Sequence, residues 1–123
     1  LFFIQACRGT NKDSGKPVQS DSYPVNRPIS LRLPSESDIL LAHSTVGGYE
    51  SYRNRQEGSW FIGTLMKMLA ERAHDMHLMD ILTLVNHEVA GCYTDKEYRQ
   101  MPCQMTTLTK FVYFKYPPPL SSP

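Results

Sequence analysis

The sequence has no apolar run approaching the roughly 18 residues that cross a bilayer, no CxxC pair, and only three cysteines: Cys7, Cys92 and Cys103. So sparse and odd a set argues against a disulfide-stapled secreted domain and fits a reducing, cytoplasmic setting. Charge of one sign is lacking as well, since 13 Lys and Arg stand against 12 Asp and Glu, with no basic stripe among them. Neither nucleic acid nor membrane is indicated as a partner. The opening Leu1-Phe2-Phe3-Ile4 carries no Met, basic n-region or small-residue cleavage site, which argues against a signal peptide. Domains seldom begin abruptly on a core strand, so the chain is expected to be the C-terminal part of something longer. No internal repeat is found.

What is present is 123 residues, 41% of them hydrophobic, enough for one domain with one core. Leu1 to Ala6 is too short for a helix and predicts a strand buried on both faces, with Cys7 just past its end. From Thr10 to Glu36 the composition turns to Ser, Pro, Gly, Asp and Lys, and Pro17, Pro24, Pro28 and Pro34 exclude a helix or central strand. A long exposed linker is expected, and such linkers are often functional. A second buried strand is predicted from Ile39 to about Val46, then a turn at Gly47-Gly48 and a polar, aromatic loop to Glu57. Gly58 or Ser59 is placed to cap a helix in which Trp60, Phe61, Leu65, Met68 and Leu69 recur at helical spacing to about Ala73. Leu78, Ile81, Leu82, Val85 and Val89 mark a second helix closed by Gly91. A last strand with both faces covered is predicted from Leu108 to Tyr116, ended by Pro117-Pro118-Pro119. The order strand, linker, strand, helix, helix, strand suggests an α/β layer fold.

The chemistry centres on Gln5-Ala6-Cys7-Arg8-Gly9. A thiol beyond a strand end, beside Arg8 and before the permissive Gly9, suits presentation on a tight loop. Taken alone, a free cysteine is more often an inert buried thiol. The pentapeptide, however, is the one by which caspases are recognised, so the resemblance is read off rather than derived. It becomes specific with the rest of the chain. Asp38-Ile39-Leu40-Leu41-Ala42-His43-Ser44, Gly48-Tyr49-Glu50-Ser51-Tyr52-Arg53-Asn54, Gly58-Ser59-Trp60-Phe61-Ile62, Gln100-Met101-Pro102 and Leu108-Thr109-Lys110 follow in the order of a caspase small subunit. The Trp60 block most resembles the effector branch.

The resemblance implies an α/β caspase-like fold, a mixed, mostly parallel sheet flanked by helices, here only its C-terminal portion. It implies a cysteine endopeptidase that cleaves after Asp in apoptosis, with Cys7 as nucleophile and without metal or organic cofactor. Gln5 and the planar fork of Arg53 would hold the substrate Asp. Ser51 and Arg53 would pair with the substrate backbone, Tyr52 would wall the residue preceding the Asp, and Asn54 and Trp60 would contact the fourth residue back. As isolated residues, Trp60 and Tyr52 would more often be core and Arg53 a surface ion pair; in this spacing the site reading prevails. The resemblance further implies dimerisation, with itself or a related chain, through a strand from Leu108 to Phe114, and activation by an upstream caspase.

Three departures bear on this. Glu50 stands beside the position for the residue preceding the Asp, where the family often has an aromatic or aliphatic side chain. Gly63 and Met66 replace the Gln and Cys usual early in the first helix, Gly63 at a cost of about 1 kcal/mol against Ala. The family's catalytic His lies roughly 50 residues before the cysteine, upstream of Leu1. His43, His74, His77 and His87 do not match it, and His74 with His77 lack a third ligand for a metal. Asp21, followed by the small Ser22, is the better candidate for maturation cleavage. Asp13 is the other, or merely solubilises its loop. The expected organisation is residues 1–21 as the end of a large-subunit-like segment, 22–36 as linker, 37–117 as small-subunit-like region and 118–123 as tail. A competing reading, from another class, is a catalytically silent caspase-like regulator that dimerises with a complete caspase.

Overall fold

A computed structural model of the chain describes residues 1–14, 35–56 and 58–114. The expected cut at Asp21, most of the linker and the tail lie outside them. Strand β1 (Phe2–Ile4) runs parallel to β2 (Leu40–His43). A short ribbon of β3 (Arg53–Asn54) and β4 (Gly58–Ser59) leads into helix α1 (Trp60–Arg72) and then α2 (Leu78–Ala90). Strand β5 (Cys103–Thr106) returns antiparallel to β2, so the mixed sheet has the order β1-β2-β5. This is the α/β arrangement expected, a mixed sheet flanked by helices.

Both helices form where the 3.6-residue period puts apolar side chains on one stripe. Phe61, Leu65 and Met68 of α1 meet Leu78, Ile81, Leu82, Val85 and Val89 of α2, and Leu40 and Ala42 of β2 close the core from the sheet. Ser59 caps α1, its Oγ accepting the Ile62 N–H at 3.2 Å. Such a cap contributes about 1 kcal/mol.

Two strand expectations are corrected. β1 is not buried on both faces: Phe3 packs against the core, whereas Phe2 is 58% exposed and Leu1 50%. Alternation across the pleat sends Phe2 and Ile4 to the opposite side, which no described element covers. The segment Leu108 to Phe114 is not a strand. The strand that pairs with β2 lies just before it, at Cys103-Gln104-Met105-Thr106. Residues 107–114 instead fold across the start of α2, where the Val112 carbonyl accepts the Leu78 N–H at 2.7 Å. Leu108 and Val112 pack on the core, and Phe111 lies 4.8 Å from the His77 ring. One of the first-turn N–H groups that a helix leaves unsatisfied is thereby paired. Among the described residues no helix is long and apolar enough to cross a membrane.

Candidate active site

Because β1 and β2 are parallel, their carboxyl ends open at the same edge, the edge at which such sheets bind ligands. The chain leaving β1 supplies Gln5, Ala6 and Cys7, and the chain leaving β2 supplies Ser44 and Thr45, both fully buried. Ser44 Oγ accepts the Ala6 N–H at 3.2 Å and lies 2.6 Å from Ser51 Oγ, which donates to the Ala6 carbonyl at 2.8 Å. With one proton per hydroxyl, these bonds close as a ring when Ser44 donates to Ser51. The residue before the thiol is fixed on both its polar sides.

Cys7 itself is exposed. Its sulfur accepts the Ser51 N–H at 3.3 Å and stands 3.8 Å from the Ser51 carbonyl oxygen. Behind it the chain is stitched to the segment after β2. The Arg8 N–H donates to the Tyr49 carbonyl at 2.8 Å, Gly48 N–H to Arg8 at 2.8 Å, and Asn11 N–H to Gly48 at 3.0 Å. The approach is so close at Gly9 that a Cβ there would stand 2.6 Å from the Gly48 Cα. Only glycine fits. The Arg8 guanidinium turns back to the Thr45 carbonyl at 3.3 Å.

Gln100, 2% exposed, holds the other side of the loop. Its Nε2 donates to the Ser44 carbonyl at 2.6 Å and its Oε1 accepts the Tyr52 N–H at 2.7 Å. Tyr52 and Trp60, both half-buried, stack obliquely with centroids 5.1 Å apart, and the Trp60 N–H donates to the Tyr52 carbonyl at 3.1 Å. Both rings are partly exposed, and Trp60 also packs against the core cluster. Arg53, opposite Ser59 in the ribbon, is exposed and makes no ion pair among the described residues. Asn54 and Trp60 share a cavity of about 390 Å³ with Gly63 and Lys67, and Asn54 Oδ1 also accepts the Gln56 N–H at 2.8 Å. Gln5 is exposed beside Cys7, with no hydrogen bond to Arg53. Asp13 is half-buried, its carbonyl accepting the Arg99 N–H at 3.1 Å.

Glu50, the departure from the family pattern, is not a lone acid. Lys12 Nζ donates to its Oε1 at 3.0 Å and the Tyr52 phenol donates to its Oε2 at 3.4 Å. The bond to Glu50 raises the Lys12 pKa, and burial, then the Glu50 charge, raises that of Tyr52.

The structure thus brings Cys7 to Ser51, and Tyr52 and Asn54 to Trp60. Ser44 and Gln100 were not anticipated as site residues. Both stand in blocks that carry the family resemblance, but neither is charged or reactive, and their importance comes from where the chain crosses itself. Of the histidines, His43 lies in β2, His77 pairs with Asp80 at 3.1 Å and His74 with Asp75 at 3.7 Å, and His87 is on α2. No hydrogen bond joins Cys7 to an imidazole among the described residues. Nor do three His, Cys, Asp or Glu side chains gather as a metal site among them.

A family model described as the caspase domain matches residues 1–113. Caspase-3 of Bos taurus is 46% identical over 121 residues, covering 93% of this chain and 43% of that protein. Caspase-3 of Xenopus laevis is 47% identical over 115 residues, and caspase-7 of Gallus gallus 42% identical over 127, each covering 93% of this chain and 40% of the relative. The crystal structure of caspase-1 from Spodoptera frugiperda superposes with a TM-score of 0.78 at 34% identity, covering 94% of this chain and 46% of that one. The chain therefore spans about two fifths of the length of these curated relatives. On the family match, the identities and the shared fold, the chain belongs to the caspase family.

Proposed function

We propose that the chain is the thiol-bearing part of a cysteine endopeptidase that cleaves after Asp in apoptotic proteolysis in the cytoplasm. The observation that carries the reading is the placement of Cys7: exposed at the carboxyl end of a parallel strand pair, with Ala6 clamped behind it and the Ser51 N–H on its sulfur. In this reading the sulfur attacks the carbonyl carbon of the substrate Asp, forming a thioester as the amine leaves. A histidine from outside residues 1–123 protonates that amine, and water then hydrolyses the thioester. Exposed Arg53, with Gln5, offers donors for the Asp carboxylate.

The same reading makes residues 1–21 the end of a large subunit, 37–117 the small subunit and 22–36 the linker of a zymogen cut by an upstream caspase. Asp21 is favoured over Asp13, whose carbonyl is engaged by Arg99. Upstream chain would cover the open Phe2 and Ile4 face of β1. Segment 108–114, with Phe111 74% and Tyr113 50% exposed, would meet a second protomer although it is not a strand. The test is Arg53→Ala in the full-length protein. Loss of the preference for Asp at the cleaved position, with the fold intact, is expected; retained preference would remove Arg53 from the pocket.

A further inference from the structure

The contact between Lys12 and Glu50 has no part in the roles given above. Glu50 and Tyr52 are two apart and their side chains meet, while the Ser51 hydroxyl between them turns to Ala6 and Ser44 and the Ser51 backbone faces the thiol. The Tyr52 phenol donates to Glu50 Oε2 at 3.4 Å, and Lys12 holds Oε1 at 3.0 Å. Lys12 also stands 5.8 Å from the Tyr98 ring centroid. The side chain of Glu50 is 26% exposed. Its charge is matched by Lys12, yet Oε2 carries only a long bond from Tyr52 and keeps acceptor capacity.

We propose that Glu50 is a specificity-determining residue that selects a hydroxyl-bearing side chain, Thr or Ser, at the substrate position preceding the cleaved Asp. The inference rests on the reading of Tyr52 as the wall of that position. Thr and Val have nearly the same shape, but only Thr donates a hydrogen bond to Oε2. Val would cover part of a carboxylate and return nothing for its lost water. An acidic residue there would face the Glu50 carboxylate, and a basic one would meet the Lys12 ammonium with Glu50 already neutralised. An uncharged donor satisfies both.

The experiment compares two peptide reporters, identical except for Thr or Val before the Asp, on the full-length protein. kcat/KM for Thr should exceed that for Val by about threefold to tenfold, the range of one hydrogen bond. Glu50→Leu should reverse the order while cleavage after Asp continues. Lys12→Met, which leaves the Glu50 charge unmatched, should raise turnover of a Lys reporter relative to Thr. A wild-type preference for Val, or a Thr to Val ratio unmoved by Glu50→Leu, would overturn this inference alone. Turnover of neither reporter would overturn the protease reading and the inference with it.

Discussion

The hydroxyls of Ser44 and Ser51 lie 2.6 Å apart, and between them they hold both backbone polar groups of Ala6, the residue before the thiol. The clamp connects the ends of both parallel strands to the loop that carries Tyr52 and Arg53. The thiol and the Tyr52-Arg53 loop are therefore placed by one shared set of bonds.

Ser44→Ala should remove that clamp from a fully buried position and take from the Ala6 N–H its protein partner. Ala6 itself is exposed, so water can pair the freed donor, and a loss of about 0.5–1.5 kcal/mol is expected, the net worth of one hydrogen bond. Denaturant unfolding of the full-length protein measures it, and a midpoint equal to wild type would show that the ring contributes nothing.

Gln100→Leu keeps the volume but deprives both the Tyr52 N–H and the Ser44 carbonyl of their partner. Stability should fall by about 1–3 kcal/mol, and KM for an Asp peptide should rise as the Tyr52 wall loosens. Gln100→Glu retains an acceptor for Tyr52 and should recover part of the KM defect. Identical KM values for the two variants would contradict a positioning role.

Asp38 supplies a pH-dependent contribution away from the site. Its carboxylate accepts the Thr109 N–H at 2.9 Å and the Thr109 hydroxyl at 2.7 Å, and the backbone bond is the foremost cause of its lowered pKa. A carboxyl whose folded pKa lies below its unfolded value stabilises the fold above the unfolded value, 3.8, and loses that contribution as pH falls through the folded value. Asp38→Asn tolerates the positive φ of 61° and keeps an acceptor, so it isolates the charge. The stability gap between wild type and variant should be constant at neutral pH and shrink below about pH 4. A gap that widens in acid would reverse the sign of this account.

The helices were legible because their periodicity is long and their stops are local: α1 and α2 fall within a residue of the expected spans, and Ser59 is the cap. The last strand was misplaced for an equally physical reason. Leu108, Phe111, Val112 and Phe114 look like a buried strand, whereas they cover the start of α2. Cys103-Gln104-Met105-Thr106 alternates apolar and polar residues over only four positions, too short and weak a run to stand out, and is held as a strand by the backbone of β2. At the site, Cys7, Ser51, Tyr52 and Trp60 were visible through a family motif. Ser44 and Gln100 each act through more than one hydrogen bond set by tertiary crossing, which no spacing announces. Glu50 was visible as a departure, but its neutralisation by Lys12, 38 positions away, was not.

The most direct test of the central claim is turnover of an Asp-Glu-Val-Asp reporter by the full-length protein and by Cys7→Ala. The account predicts cleavage after the final Asp by the wild type and none by the variant, with Cys92 and Cys103 still present. Unchanged turnover by Cys7→Ala would contradict it.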